Sequence, residues 1–447
     1  MLNIFKKYSK NDKRIIVSGI IGNLIDSYDV VICIFLAQIL AINFFPEDSM
    51  EKNLMSTFHI FFIGYMSRPI GSLIFGLFSD QIGRKKTLIS SIVIVGIGTT
   101  MIGFIPSFQT IGIYSTILFL IFRIIQNFSA GGEYISSIVY LTENAGIKRR
   151  GFFGSWVAVG VNCGFLFASL MAFCTLYLID LRIVPDWSWR IIFILTLIGT
   201  SFGAWIRYSL PESKEFILEN AGDAKQNKWN IFKESLKFTI HYPYQCFAIF
   251  VITWLGVCIT VSIFIYSPIH LSTVNHLSQH QAHGINSLSL LFLILLLPMF
   301  GKLSDYFDRV TLLTISAAII AASSIPAFWY LSNGSYLEVM VSKLWMAIPC
   351  ACFFSLAPVV IAETFPLKIR CTIIALIYQI SSSLGSGLTP LIILYILHNT
   401  NINYSPGYFL LASAIIGIIG LFIVKKRSIN YLSTIKSDSI LLDFPTK

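Results

Sequence analysis

Six ionisable side chains stand inside stretches of this chain that are otherwise apolar: Asp26, Asp29, Arg68, Arg123, Glu133 and Lys343. A charge held in hydrocarbon is costly, so each is a candidate for carrying a proton, gripping a charged solute or pairing with a neighbour. Counting about 1.5 Å of helical rise per residue puts Asp26 and Asp29 about 15–20 Å deep, with Arg68 about 16 Å and Glu133 about 15 Å from the same side. These four form one layer. Arg123 and Lys343 form a second, about 30 Å from that side by the same count. Asp26 and Asp29 are three residues apart and share one helix face. Two carboxylates so close do not both ionise cheaply in a low dielectric, so one is expected to keep its proton toward neutral pH. That is the chemistry of proton coupling, for which Asp26, Asp29 and Glu133 are the candidates. Arg68 stays protonated and can hold an aspartate in one state and a solute carboxylate in another. Arg123 and Lys343 are further cations for such a solute. The rival reading is a permanent ion-pair network of Asp26, Arg68 and Glu133 that fixes packing, with Arg123 and Lys343 reaching for the outer interface. Tyr28, Gln126, Trp254 and Trp345 are candidate pocket liners at these depths, or packing and interface anchors.

The elements that must position these residues are membrane spans. Of 447 residues, 55% are hydrophobic and only 12% charged, and the mean hydropathy is +0.75; a soluble domain carries about 25% charged residues. Runs of about 20 apolar residues cross a bilayer core as helices. Twelve are expected, near 16–44, 54–79, 87–105, 109–142, 152–177, 188–208, 242–268, 285–300, 311–331, 337–362, 371–397 and 406–424. The fold class is therefore an all-α membrane protein. Residues 1–208 make one six-helix bundle and 241–427 a second, joined by a polar linker at 209–240 and followed by a short tail at 428–447. The net charge is +10, but the cations sort by side. Most Lys and Arg fall in 1–14, 84–86, 148–150, 207–237, 302–309, 368–370 and 425–447, which share one face if twelve helices alternate. The positive-inside rule makes that face cytoplasmic, with both termini on it. The basic balance reports topology, and nucleic acid is not an expected partner. The first run is too long for a signal-peptide core and is expected to stay in the membrane.

Two copies of a short motif follow the second and eighth runs, one in each half. The first runs from Gly76 through Asp80 and Gly83 to Arg84 and Lys85; the second runs from Gly301 through Asp305 to Asp308 and Arg309. A second pair accompanies them: Glu143 ahead of Arg150, and Glu363 ahead of Arg370 at the same spacing. Glycine permits close helix approach and tight turns, and an aspartate there can cap a helix or meet an arginine. Two bundles with matched charged hinges suit a rocking, alternating-access machine. With Asp308 in place of a glycine, the second copy is the weaker evidence for a latch. Ser381, Ser382, Ser383, Gly385, Gly387 and Pro390 mark the eleventh run as a candidate moving element. The chain has no H-E-x-x-H, no Ser/His/Asp set at matched depth and no long polar loop, which argues against an enzyme. His270, His276, His280 and His283 are expected in a polar outer loop; the last three have a spacing that could chelate a metal, but no metal site is expected. The eight cysteines lack a disulfide spacing and read as small buried residues, and Cys350 and Cys352 make a poor metal site. No cofactor is expected.

The fourth run carries the narrowest pattern: Arg123, Gln126, Asn127, Phe128 and Ser129, then Gly131, Gly132, Glu133 and Tyr134, then Tyr140, Glu143 and Arg149-Arg150-Gly151. With Gly22-Asn23, Asp26, Tyr28 and Asp29 in the first run, Arg68-Pro69 in the second, Trp189-Arg190, and Glu363-Thr-Phe365-Pro366, it resembles the metabolite:proton symporters of the major facilitator superfamily. The resemblance covers nearly the whole chain. It implies proton-coupled uptake of a small carboxylate-bearing metabolite, a zwitterion such as proline or betaine or an organic acid, across a bacterial inner membrane. It also implies proton coupling at Asp26, Asp29 or Glu133, and solute contacts from Asn23, Tyr28, Arg68, Arg123, Gln126 and Lys343. The expected partners are that solute, the proton and membrane lipid. Asp26 stands where the family has Glu, Ser27 replaces an aromatic residue, and Asn127 replaces a Gly. An uncoupled exchanger or facilitator, or a sensor that has lost transport, are the alternatives on the same fold.

Overall fold

A computed structural model describes residues 10–46, 49–82, 84–129, 134, 137–138, 141, 149–208, 243–363, 370–400 and 402–438. All regular structure among them is helical. The first half holds α1 (Lys10–Phe35), α2 (Ala37–Phe44), α3 (Met50–Met66), α4 (Arg68–Ile82), α5 (Arg84–Phe104), α6 (Phe108–Ile111), α7 (Ile113–Ser129), α8 (Arg150–Asp180) and α9 (Trp189–Tyr208). The second holds α10 (Pro243–Ile259), a π-helical turn at Thr260–Ile265, α11 (Ser267–Thr273), α12 (Gln279–Leu303), α13 (Arg309–Asn333), α14 (Tyr336–Glu363), α15 (Arg370–Thr400) and α16 (Pro406–Asp438).

Among the described residues, nine helices are long and apolar enough to cross a membrane, or ten if α1 and α2, bent by 58°, are one span. Two shorter apolar helices, Ile89–Phe104 and Ile113–Ser129, fall on the third and fourth apolar runs. Lipid explains the outer surface: Ile198, Met299, Trp205 and Phe422 are exposed although large and apolar. The expected linker at 209–240 lies outside the described residues. The helix of the last run continues past its apolar part to Asp438, into the expected tail.

The halves repeat one packing plan. In the first, α8 packs along α1, α9 along α5, and α7 against α3 and α5. In the second, α15 packs along α10, α16 along α13, and α14 against α12 and α13. Two seams join them, α8 on α12 and α15 on α3 and α4. Small residues allow these approaches. A Cβ on Gly301 would lie 2.5 Å from Ser155 Oγ across the first seam, and one on Gly387 would lie 2.5 Å from the Phe62 ring across the second.

Candidate functional site

Where the halves meet there is a cavity of about 180 Å³. From the first half it is lined by Asn23, Asp26, Ser27, Tyr65, Arg68, Tyr134 and Asn162, and from the second by Thr253, Thr260, Tyr378, Gln379, Ser382 and Ser386, among others. A smaller void of about 150 Å³ holds benzene, so this one suits a small metabolite.

Local breaks in the helices present these residues. The second apolar run splits between α3 and α4, where the Ser67 hydroxyl takes the Gly64 carbonyl at 2.7 Å and Pro69, lacking an N–H, follows at the second position of α4. Arg68 sits on that joint. Its Nε donates to Asn127 Oδ1 at 2.9 Å and its guanidinium lies 4.6 Å from the Tyr65 ring centre. Asn127, noted in the sequence only as a departure from glycine, is thus the anchor of the cavity's arginine. On the opposite wall the π-helical turn presents Thr260, Val261 and Ile265 to the cavity, a distortion that marks functional stretches of helix. Tyr134 and Tyr378 stack across the two halves with ring centres 5.0 Å apart.

Other candidates sit behind these walls. Asp29 is 2% exposed, and its Oδ2 has no hydrogen-bond partner. Arg123 is fully buried, not snorkelling: it donates to Gln126 Oε1 and lies 4.4 Å from the centre of the Phe61 ring. Gln126 donates in turn to the Asp29 carbonyl at 2.7 Å and to Thr99 Oγ1 at 2.6 Å. Lys343 is 1% exposed in the second half, where it donates to the Ile263 carbonyl of the π turn, to Ser267 Oγ at 2.6 Å and to Asn286 Oδ1 at 2.9 Å. Arg123 and Lys343 are therefore in separate bundles, and neither they nor Tyr28, Gln126, Trp254 or Trp345 line the cavity. Trp345 is half exposed and donates to Ser323. Glu133 lies outside the described residues.

The hinge charges cluster at one end of the α8–α12 seam. Asp305 accepts from the backbone N–H of Gly151 at 2.8 Å and of Phe152 at 3.2 Å. Arg149, the residue before α8, gives no side-chain cap, so the orphan donors of α8 are satisfied from the other half of the protein. Arg309 meets Asp305 at 3.3 Å and Glu363 at 2.5 Å, and Arg150 reaches Glu363 at 3.7 Å. Burial pushes the Asp305 carboxyl above its ordinary value, against the pull of those amides and of Arg309. The second motif thus supplies Asp305 and Arg309 to this cluster, and Asp308, which stands where the first copy has a glycine, caps α13 through the Thr311 N–H at 2.9 Å. Gly83 and Glu143, and the side chains of Asp80, Arg84, Lys85 and Arg370, lie outside the described residues, as do the surroundings of Gly76 within α4.

The far end of the seam is tied as well. His280 Nδ1 pairs with Asp180 at 2.7 Å, Gln38 donates to Ser272 at 2.8 Å, and Ser169 donates to the His283 carbonyl at 3.2 Å. Of the four histidines, His276 lies exposed in the loop between α11 and α12, and the others lie in helices. His270 is buried in α11 against Ser332 at 2.9 Å, and His283 is buried in α12 against Phe35. Among the described residues no group of His, Cys, Asp and Glu could hold a metal. Of the seven cysteines described, Cys174 is exposed and Cys163 partly so, and the other five are buried as expected.

The comparisons fit this architecture. A family model described as sugar (and other) transporter matches residues 15–229, and one described as Major Facilitator Superfamily matches 249–434. The citrate-proton symporter of Klebsiella pneumoniae is 30% identical over 425 residues, 92% of each chain. The chain belongs to the major facilitator superfamily. Within it, this facilitator falls with the metabolite:proton symporters and is a secondary transporter, not an enzyme. The proline/betaine transporter of Escherichia coli K12 is 28% identical over 412 residues, 91% of this chain and 82% of that protein. A crystal structure of a D-xylose-proton symporter superposes with a TM-score of 0.70 at 18% identity, over 92% of this chain and 96% of that one; that likeness speaks for the fold.

Proposed function

We propose that this facilitator takes up a small carboxylate-bearing metabolite together with a proton, by alternating access across a bacterial inner membrane. Twelve spans arranged as 1–208 and 241–427, with both termini, the 209–240 linker and the 428–447 tail in the cytoplasm, accord with the repeated packing plan and with the charge asymmetry. The observation that carries the reading is a cavity lined by both halves, holding Asp26 and Arg68, beside an α8–α12 seam tied at both ends. Rocking about the cavity breaks one set of ties at a time. In this reading Asp305, Arg150, Arg309 and Glu363 close the cytoplasmic end. Arg68 receives the solute carboxylate, and the Asp26/Asp29 pair shares one proton, because two ionised carboxylates on one buried face repel. Arg123, Gln126 and Tyr28 support that pair from behind, Asn23 contacts the solute, Glu133 is a further proton candidate, and Lys343 braces the π turn.

Purified protein in liposomes tests this. Labelled solutes, including citrate and proline, should accumulate only under an inward proton gradient. Equilibration without accumulation would point to the uncoupled facilitator, and a protein that moves no solute but retains a bound signalling protein would point to a sensor.

A further inference from the structure

The relatives named above divide between a tricarboxylate and zwitterions, and the charges of this cavity discriminate between those two chemistries. Within the apolar runs the sequence supplies few cations. Arg190, at the start of α9, donates to the carbonyls of Gly103 and Ile105. Arg123 and Lys343 are 0% and 1% exposed and lie behind the walls, Arg123 against Gln126 and Phe61 and Lys343 on Asn286, outside the cavity lining. No Lys or Arg occurs between 130 and 147 or between 371 and 400, so the rest of those two runs adds none, and Glu133 can add only an acid. Arg68 is therefore the one cation offered to a ligand by the described lining, beside one acid, Asp26.

Within the described lining the second half adds no charge. Thr253, Thr260, Gln379 and Ser382 offer neutral hydrogen bonds. A di- or tricarboxylate would bring at least two negative charges to a single guanidinium, leaving an uncompensated anion beside Asp26 in a low dielectric. The aromatic residues complement the opposite charge. Tyr65, Tyr134 and Tyr378 line the same cavity, and Tyr378 stands within electrostatic reach of both Arg68 and Asp26. Aromatic faces attract ammonium and quaternary ammonium groups.

Resting on the transport reading above, we propose that the solute is a compact zwitterion: its single carboxylate lies on Arg68, its cationic nitrogen lies among the tyrosines beside Asp26, and di- and tricarboxylates are rejected. A cation beside Asp26 keeps that carboxylate ionised, so the coupled proton falls on Asp29, one turn along the same helix.

Proteoliposomes holding the full chain test this under an inward proton gradient with labelled glycine betaine, proline, citrate and 2-oxoglutarate. Choline, which keeps only the cationic end, and propionate, which keeps only the carboxylate, serve as unlabelled competitors. We expect betaine or proline to accumulate at least tenfold above citrate and 2-oxoglutarate, with choline and propionate each competing at least tenfold more weakly than unlabelled zwitterion. In Arg68→Gln, betaine should compete no better than choline does in the unaltered protein; should that variant not fold, the ligand series decides alone. Accumulation of citrate or 2-oxoglutarate comparable to that of the zwitterions would overturn the proposal while leaving transport intact. Movement of none of the four would overturn the transport reading and this inference with it.

Discussion

Asp26 faces the cavity and Asp29 lies behind it, so their removal should have different consequences. Asp29→Asn leaves Arg68 and Asp26 in place and should retain solute exchange while accumulation falls to simple equilibration, whereas Asp26→Asn should weaken solute binding and slow exchange itself; counterflow measured beside gradient-driven uptake distinguishes the two. Lys343 bears on stability. Its amine satisfies the Ile263 carbonyl and Asn286 inside the second bundle. Lys343→Ala leaves those acceptors buried and unpaired, and should cost about 3 kcal/mol, read as a fall in the melting temperature of the solubilised protein. Lys343→Met, which keeps the length without the charge, should cost less. The acids at 26 and 29 and the cation at 68 were legible because charge in an apolar run is conspicuous. Asn127 and Tyr65 were not, since a neutral residue acquires its role only from the neighbour brought to it.

At the scale of elements, α8 and α12 form the decisive pair. Their hinge end closes only because neither Gly151 nor Gly301 carries a side chain: a Cβ on Gly151 would fall on Ser304 Oγ, and one on Gly301 on Ser155. Gly301→Leu should wedge this end apart, abolish uptake and leave the melting temperature nearly unchanged. A cysteine introduced at Ser382 should then react with an impermeant thiol reagent applied from the hinge-motif side, and protection of that cysteine would refute the wedge. The polar start of α12, Gln279 to Gly284, hid its true length, since those residues read as loop. In the folded chain α12 meets α8 from its first turn, where His280 pairs with Asp180 at 2.7 Å, and Ser287 further along donates to Ser169 at 2.9 Å. The bend between α1 and α2 was likewise invisible, because no Pro or Gly marks Leu36.

For the whole molecule, ties at both ends of the α8–α12 seam imply a state passed through on each cycle. Cysteines introduced as Gln38→Cys and Ser272→Cys, whose parent side chains touch at 2.8 Å, should crosslink readily and halt uptake. Saturating solute should speed the reaction by drawing the halves together; slower crosslinking with solute would show that binding opens this end instead.

By itself the sequence determined the medium, the helical class and the two-fold repeat, because apolar length, the side on which the cations fall and a twice-written motif are properties of the chain alone. It also determined which charges are forced into the membrane. The tertiary structure decided which of them can meet a solute. Arg68 and Asp26 reach the cavity, whereas Arg123 and Lys343, at similar apparent standing in the sequence, are turned into their own bundles. Helical rise gives depth along an axis but not the direction a side chain takes across it, and that direction is fixed only when other helices pack alongside.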